Sequence, residues 1–428
     1  MKRYINILLI CVMVLTMVVS NIGCARQQEE EPPGEAPTEE PRDPQVPLGE
    51  VPAPEDMIIE AAHWQEEYPM IYESFLRTSR MGDNTVEDST LGGLHPVDYL
   101  EKYPNIKILY DGIGFSKEYF VARGHYYALE DVINTARPKP GASCLACKTG
   151  EYEKLFVEHG QDLFTMDFHE TVQGVDNAIS CYSCHRNEPG ENIQVTAPHL
   201  AVGLTKLEQE PPAGTMACAQ CHVEYYFDPE TREVVLPWDN GLGVEEIEAY
   251  FDERGFYDWK HPRTGTPLIK VQHPEFEMYT GSVHDRLGIS CADCHMPTVE
   301  EEGETYKSHW AKSPLKTVEE SCGRCHADGE AIIAETEEIQ KEIDAMQVEV
   351  SDMIVKLIED FAAALEERDL DEETVQQLWD LHRKAQYRWD FVMVENSTGF
   401  HHASKAREAL EQAKEFAQEA LDILAEQQ

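Results

Sequence analysis

Three features of the 428-residue sequence predict a mainly α-helical fold with little β structure and long C-terminal helices. First, five Cys-x-x-Cys pairs fall between Pro140 and Ala327, and four are followed at once by histidine. That pattern fixes a c-type haem by two thioether bonds and one axial ligand. Second, turn-rich segments such as Asn187-Glu188-Pro189-Gly190 and Pro211-Pro212-Ala213-Gly214 separate the pairs, so helices there must be short, with porphyrins supplying much of the apolar core. Third, no proline occurs after Ala327, and apolar residues recur there at steps of three and four, the spacing of a helix face. The expected class is a multihaem cytochrome c fold.

The chain opens on Met1-Lys2-Arg3, an apolar run from Tyr4 to about Ser20, and Asn21-Ile22-Gly23-Cys24. Residues 1–24 have the layout of an export signal. Gly23-Cys24 has the form of a lipoprotein cleavage site, with Asn21 where an apolar residue is usual; lipidation of Cys24, ordinary cleavage and retention as an anchor all stay open. Residues 25–54 are rich in Glu and Pro and cannot bury a core. They read as a tether. The expected location is the periplasm or the outer face of the cytoplasmic membrane, with Cys24 as a lipid anchor in one of those forms. With 81 acidic against 35 basic side chains the net charge is −46, which argues against nucleic acid as a partner and for a solvated surface or a redox partner with a basic patch. An anionic substrate would need a local cationic site.

Of 12 cysteines, Cys11 lies in the signal and Cys24 at its end. The other ten form Cys144/Cys147, Cys181/Cys184, Cys218/Cys221, Cys291/Cys294 and Cys322/Cys325, followed by Lys148, His185, His222, His295 and His326. Zinc and iron–sulfur sites also use paired cysteines. The histidine after four pairs and the export signal point instead to five c-type haems over residues 55–327. The exception is Lys148. An amine can bind iron only when neutral, against a free pKa of about 10.4, and metal binding and loss of solvent both favour that form. The lysine site is read as the haem where chemistry happens, and the four regular sites as its electron supply.

Before the first pair, the stretch from about Glu55 to Gly141, with aromatic segments around Trp64, Tyr68, Tyr72 and Phe75, is expected to wrap the first haem, and Ile106 to Tyr110 to be a strand or extended run. In residues 328–428, Ile339, Ile343, Met346, Val350, Ile354, Leu357, Phe361 and Leu365 mark one face of a long helix. A turn at Arg368 to Asp371 leads to a second helix, about Glu372 to Val394, with Val375, Leu378, Ala385 and Trp389 inward. A break at Asn396 to Gly399 precedes a third, with Leu410, Ala413, Ala417 and Leu421 inward. The long seam suits either a core or a dimer surface.

Four Cys-x-x-Cys-His sites, one Cys-x-x-Cys-Lys site first in order and a helical C-terminal third closely resemble the ammonia-forming pentahaem cytochrome c nitrite reductases, over roughly residues 60 to 425. The resemblance implies four distal histidines, which map to His125 in Arg123-Gly124-His125, His284 in Gly281-Ser282-Val283-His284, His309 in Lys307-Ser308-His309-Trp310 and His401 in Gly399-Phe400-His401. It does not say which faces which haem. The asparagine-proline that follows the last of these in the family is His402-Ala403 here, so His401 and His402 compete. His63, His95 and His382 are read as structural.

The same resemblance implies three catalytic positions. Arg137 would hold the anion. Tyr225, with Tyr226 as its rival, would donate a hydrogen bond or proton, and His273 would relay protons near neutral pH. Calcium-containing members of the family bind one Ca²⁺ beside the active haem; here the Glu224 and Gln272 side chains and the carbonyls of Tyr225 and Lys270 would hold it, all oxygen donors suited to calcium. The implied activity is six-electron reduction of nitrite to ammonium, with hydroxylamine and sulfite as further substrates. The implied electron donor is a membrane quinol-linked cytochrome or a small carrier, and the implied assembly a homodimer. A multihaem carrier that reduces no substrate is the alternative, and the spin state of the first iron discriminates the two. A main activity on hydroxylamine or sulfite is a further alternative, and the lysine disfavours hydroxylamine oxidation.

Overall fold

The computed structural model describes residues 49–79, 97–139, 141–190 and 193–426, so the export signal, Cys24, most of the tether and His95 lie outside the described residues. Among the described residues no helix is long and apolar enough to cross a membrane.

The C-terminal third holds three α-helices, Gly329–Glu367, Glu372–Met393 and Ala403–Glu426, at the predicted places. Asp328 caps the first by accepting the Ala331 N–H at 3.0 Å, and Asp371 caps the second through the Thr374 N–H at 2.7 Å. Each satisfies a donor that the first turn leaves orphaned. The break before the third helix ends on Gly399 at φ +83°, where a Cβ would meet Ile343 at 2.7 Å. Conformation and space both require glycine there. The seam of Ile343, Val350, Ile354, Leu357 and Phe361 is buried against the other two helices, which makes it core; Leu365, expected inward, is 38% exposed.

The middle helix is not the one-sided amphipath its sequence predicts. From Leu381 to Glu395 every residue but the half-buried Lys384 is buried, because the helix packs on its two neighbours and also on residues from the middle of the chain. Its polar side chains are paired inward: Arg388 with Glu248 at 2.8 Å, Arg383 with Asp252 at 2.9 Å and Asp390 with Lys270 at 2.9 Å.

Between residues 97 and 327 the helices are short, as expected, the longest being Val244–Glu253. Three antiparallel two-stranded ribbons are inserted among them: Tyr226–Phe227 with Val234–Val235, Trp259–Lys260 with Pro267–Leu268, and Thr298–Glu301 with Glu304–Lys307. Each adjoins a candidate residue, namely Tyr225, the run from Lys270 to His273, and His309.

One expectation needs correction. Ile106–Leu109 is a helical turn rather than an extended run; the Leu109 and Tyr110 N–H groups donate to Asn105 and Ile106 carbonyls, and the buried Ile106, Leu109 and Tyr110 follow helical i, i+3, i+4 spacing. Within the stretch expected to wrap the first haem, the aromatic segment from Trp64 to Phe75 adjoins the second attachment site. Ile58 N–H donates to Asn187 Oδ1 at 2.8 Å, and His309 N–H donates to Ser74 Oγ at 2.9 Å.

Candidate functional site

The four histidine sites share one local geometry. The N–H groups of His185, His222 and His326 donate to the carbonyls of Cys181, Cys218 and Cys322 at 3.0, 2.9 and 2.9 Å. Cys291–His295 is itself an α-helix, capped by Ser290. One α-turn thus carries both sulfurs and the histidine on one side. The first site differs in backbone as well as sequence: it follows the 3₁₀ turn Ala142–Leu145, and the Lys148 N–H reaches only three residues back, to Leu145 O at 3.0 Å.

All ten cysteines line one continuous cavity of about 2440 Å³, well beyond the roughly 300–1,000 Å³ of a pocket for one small ligand. Ten basic and eight acidic side chains line it, against 35 and 81 in the chain. The cavity lining is thus slightly cationic where the chain as a whole is strongly acidic.

Four histidine pairs face each other across this space. Ring centres are 6.2 Å apart for His185 and His309, 6.4 Å for His222 and His125, 6.1 Å for His295 and His401, and 6.3 Å for His326 and His284. A metal–imidazole bond of about 2 Å on each side, plus roughly 1.1 Å from nitrogen to ring centre, gives about 6.2 Å for two rings sharing one metal. The spacing fits one iron between each pair, and every pair joins an attachment-site histidine to one of the four distal candidates. His401, not His402, faces the fourth site; the His402 Nδ1 instead accepts from Lys405 N–H at 3.3 Å.

Second partners orient several of these rings. The Nδ1 atoms of His295 and His309 lie 2.9 Å from the carbonyls of Lys312 and Lys307, and those of His222 and His401 lie 3.6 and 2.5 Å from the carboxylates of Glu275 and Glu395. For His295 and His309, whose Nδ1 is hydrogen-bonded, Nε2 is left for a metal. His273 is also 6.3 Å from His222. Its turn runs past the His222 backbone, Phe276 N–H donating to His222 O at 3.1 Å and Glu275 Oε1 lying 3.6 Å from His222 Nδ1.

Lys148, Arg137, Tyr225 and His273 all line the cavity. The Arg137 guanidinium lies 4.3 Å from the Phe115 ring centre, and its Nε–H donates to Thr135 Oγ1 at 3.1 Å. Tyr226, the rival to Tyr225, is instead a core residue, its hydroxyl 2.9 Å from that of Tyr250. Burial pushes the His273 imidazole down to about 4, so it is neutral at pH 7 rather than half-protonated, and its Nδ1 is buried without a partner.

The oxygen donors also converge. Glu224 Oε2 accepts the Gln272 N–H at 2.6 Å, and the Gln272 side-chain amide reaches Lys270 O at 2.9 Å. Glu224 Oε1 is buried with no partner, and burial drives this carboxyl well above the usual range. An orphaned buried oxygen beside amide and carbonyl oxygens fits a hard cation. Among the described residues no group of three or more His, Cys, Asp or Glu could hold a metal ion; this set relies on one carboxylate. His382, read as structural, is fully buried and bonded to Thr266 and Gln386.

Paired cysteines on helical turns, opening on one cavity with histidines facing across it, define a c-type cytochrome with several haem sites. The family model of cytochrome c552 matches residues 60–427, and the chain belongs to that family. It is 31% identical over 380 residues to cytochrome c-552 of Bacteroides thetaiotaomicron, covering 83% of this chain and 75% of that one. It is 33% identical over 362 residues to that of Parabacteroides distasonis, covering 79% and 71%. The fold is similar to the catalytic subunit of cytochrome c nitrite reductase from Desulfovibrio desulfuricans, a structure with two calcium sites, at 30% identity and TM-score 0.79 over 86% of each chain.

Sequence reasoning missed Glu275, Glu395 and Asp390. Glu275 follows His273 by two residues and Glu395 immediately precedes the predicted helix break; no other signal sets them apart from the remaining acidic residues.

Proposed function

We propose that the protein is an ammonia-forming nitrite reductase with five c-type haems, one held by Lys148 and four by the histidine pairs. The observation that carries this reading is the four ring pairs at 6.1–6.4 Å, which use every histidine-type attachment site and leave the lysine site alone beside Arg137, Tyr225 and His273. Haem at the lysine site supplies an iron that accepts an anion and passes it electrons. Nitrite takes up six electrons and eight protons to give ammonium and two waters, so the chain must position an anion and deliver protons repeatedly.

Arg137, held by Thr135 and Phe115, binds the anion and offsets charge on its oxygens. Tyr225 donates a hydrogen bond at the same wall; burial keeps its hydroxyl protonated far above pH 7. His273, neutral with an unpartnered Nδ1, takes a proton on one nitrogen and gives one from the other. Glu224 and Gln272 with the carbonyls of Tyr225 and Lys270 hold Ca²⁺, whose charge opposes the acidity of the chain beside the anion. The enzyme works outside the cytoplasmic membrane, with Cys24 as the point of any lipid anchor. It receives electrons from a quinol-linked cytochrome or a small carrier, and works as a homodimer.

The test is to supply the purified holoprotein with nitrite and reduced viologen and to measure ammonium. Ammonium above a haem-only control, with a high-spin signal that shifts on adding nitrite, is expected. An all-low-spin protein that forms no ammonium would overturn the assignment.

A further inference from the structure

The third attachment site is a junction. Cys147 of the first site lies 3.8 Å from Gln220 O, inside the third motif, and the Gln220 side-chain amide lies 3.9 Å from Cys184 Sγ of the second. The fourth site is also close: the helix carrying Cys218 packs on the fourth motif so tightly that a Cβ on Gly214 would meet Ser290 Oγ at 2.5 Å. The third attachment site thus lies between the fourth and the lysine site.

At those two sites a carboxylate lies against an imidazole Nδ1. Glu395 Oε1 is 2.5 Å from His401 Nδ1 in an ion-pair contact whose N–H axis points off the oxygen. The Glu395 side chain is 0% exposed and is held by Ser397, whose N–H and hydroxyl donate to its two oxygens at 3.0 and 2.8 Å. Glu275 Oε1 lies 3.6 Å from His222 Nδ1 and accepts a hydrogen bond from the side-chain amide of Asn396, the residue after Glu395. One short segment thus anchors the outer partners of both histidines. At the second site the His309 Nδ1 has only a neutral carbonyl, that of Lys307.

We infer that Glu395 and Glu275 are positioning residues that set the potentials of the fourth and third haems, holding both lower than histidines with neutral partners would. An anion on Nδ1 makes the imidazole a stronger donor and, in a buried setting, stabilises the more positive ferric state. Each iron still exchanges one electron and no proton; the electron comes from the donor, or from viologen in vitro. A low potential at these two positions strengthens the drive toward the substrate. The inference rests on the haem assignment proposed above.

The test is a potentiometric titration of the holoprotein followed by low-temperature EPR, with the signal lost in His401→Ala identifying the fourth haem. Glu395→Gln should raise the midpoint of that haem by at least tenfold in its ferric/ferrous equilibrium, about 59 mV for one electron, with its low-spin signal retained. Glu275→Gln should do the same to a second signal, and it reads the third haem alone should Glu395→Gln fail to take up its haems. Unmoved midpoints overturn the inference, as does a shift seen only with loss of the low-spin signal, because the carboxylate then merely holds the ring. Parent protein without paired-histidine low-spin signals would instead remove the haem assignment itself.

Discussion

Lys270 and Asp390 meet at 2.9 Å in the interior, their side chains 3% and 0% exposed. The pair ties the middle C-terminal helix to the run that carries Gln272 and His273, and Asp390 also accepts the Val271 N–H at 2.9 Å and the Tyr110 hydroxyl. Lys270 Nζ lies 5.0 Å from the centre of the Phe115 ring, which also receives Arg137 at 4.3 Å. Removing one partner leaves a buried charge uncompensated. Asp390→Ala should therefore cost roughly 3–5 kcal/mol of stability, read from denaturant unfolding, while a double replacement by apolar residues of similar volume should recover much of it.

His401 and His402 are adjacent, yet only His401 faces an attachment-site histidine. His401→Ala should convert one low-spin haem to high spin, whereas His402→Ala should leave the spectrum of the holoprotein unchanged. EPR of the two variants checks this. Equal spectra would remove His401 as the ligand.

Lys148 sits on a 3₁₀ turn where the other four sites have an α-turn. Lys148→His should keep both thioethers, since Cys144 and Cys147 are untouched, and should lower nitrite turnover. Haem content and ammonium formation measure the two effects separately. Undiminished turnover would take the lysine out of the mechanism.

Much of this was legible because covalent haem attachment is written locally, in cysteine pairs and the residue after each. The three C-terminal helices were equally plain, their seams and breaks being local. The pairing of His125 with His222, or of His284 with His326, was not, because it depends on where the chain returns in space. Glu275 and Glu395 were hidden among 81 acidic residues. The burial of Arg388, Arg383 and Asp390 contradicts the period of their own helix, since tertiary partners on a second face, Glu248 and Lys270 among them, override the amphipathic pattern.

Glu224 Oε1 is an orphaned buried oxygen at the proposed calcium position. Treatment with a strong chelator should lower both nitrite turnover and the unfolding midpoint, and added Ca²⁺ should restore them. Glu224→Gln should weaken Ca²⁺ binding at least roughly tenfold, read by calorimetry on the chelated protein. Unaltered affinity would move the ion elsewhere.

Glu277 supplies a pH test. Its side chain is fully buried; Oε1 accepts the Glu224 N–H at 2.9 Å and the Trp238 indole N–H at 2.7 Å, while Oε2 has no partner. Burial pushes this carboxyl from its ordinary 4.5 up to about 8, against those donors and with a further push from Glu275. Between those values the folded protein keeps a proton that the unfolded chain has released. The contribution of Glu277 to stability therefore falls as pH rises through that window and levels off above about 8. Glu277→Gln keeps the shape and stays neutral, so it removes the slope. With calcium chelated, since a cation beside Glu224 favours the ionised form, the unfolding midpoint of the variant should gain on that of the parent steadily from pH 5 to pH 8. A constant offset across the window would show that Glu277 is already ionised in the fold.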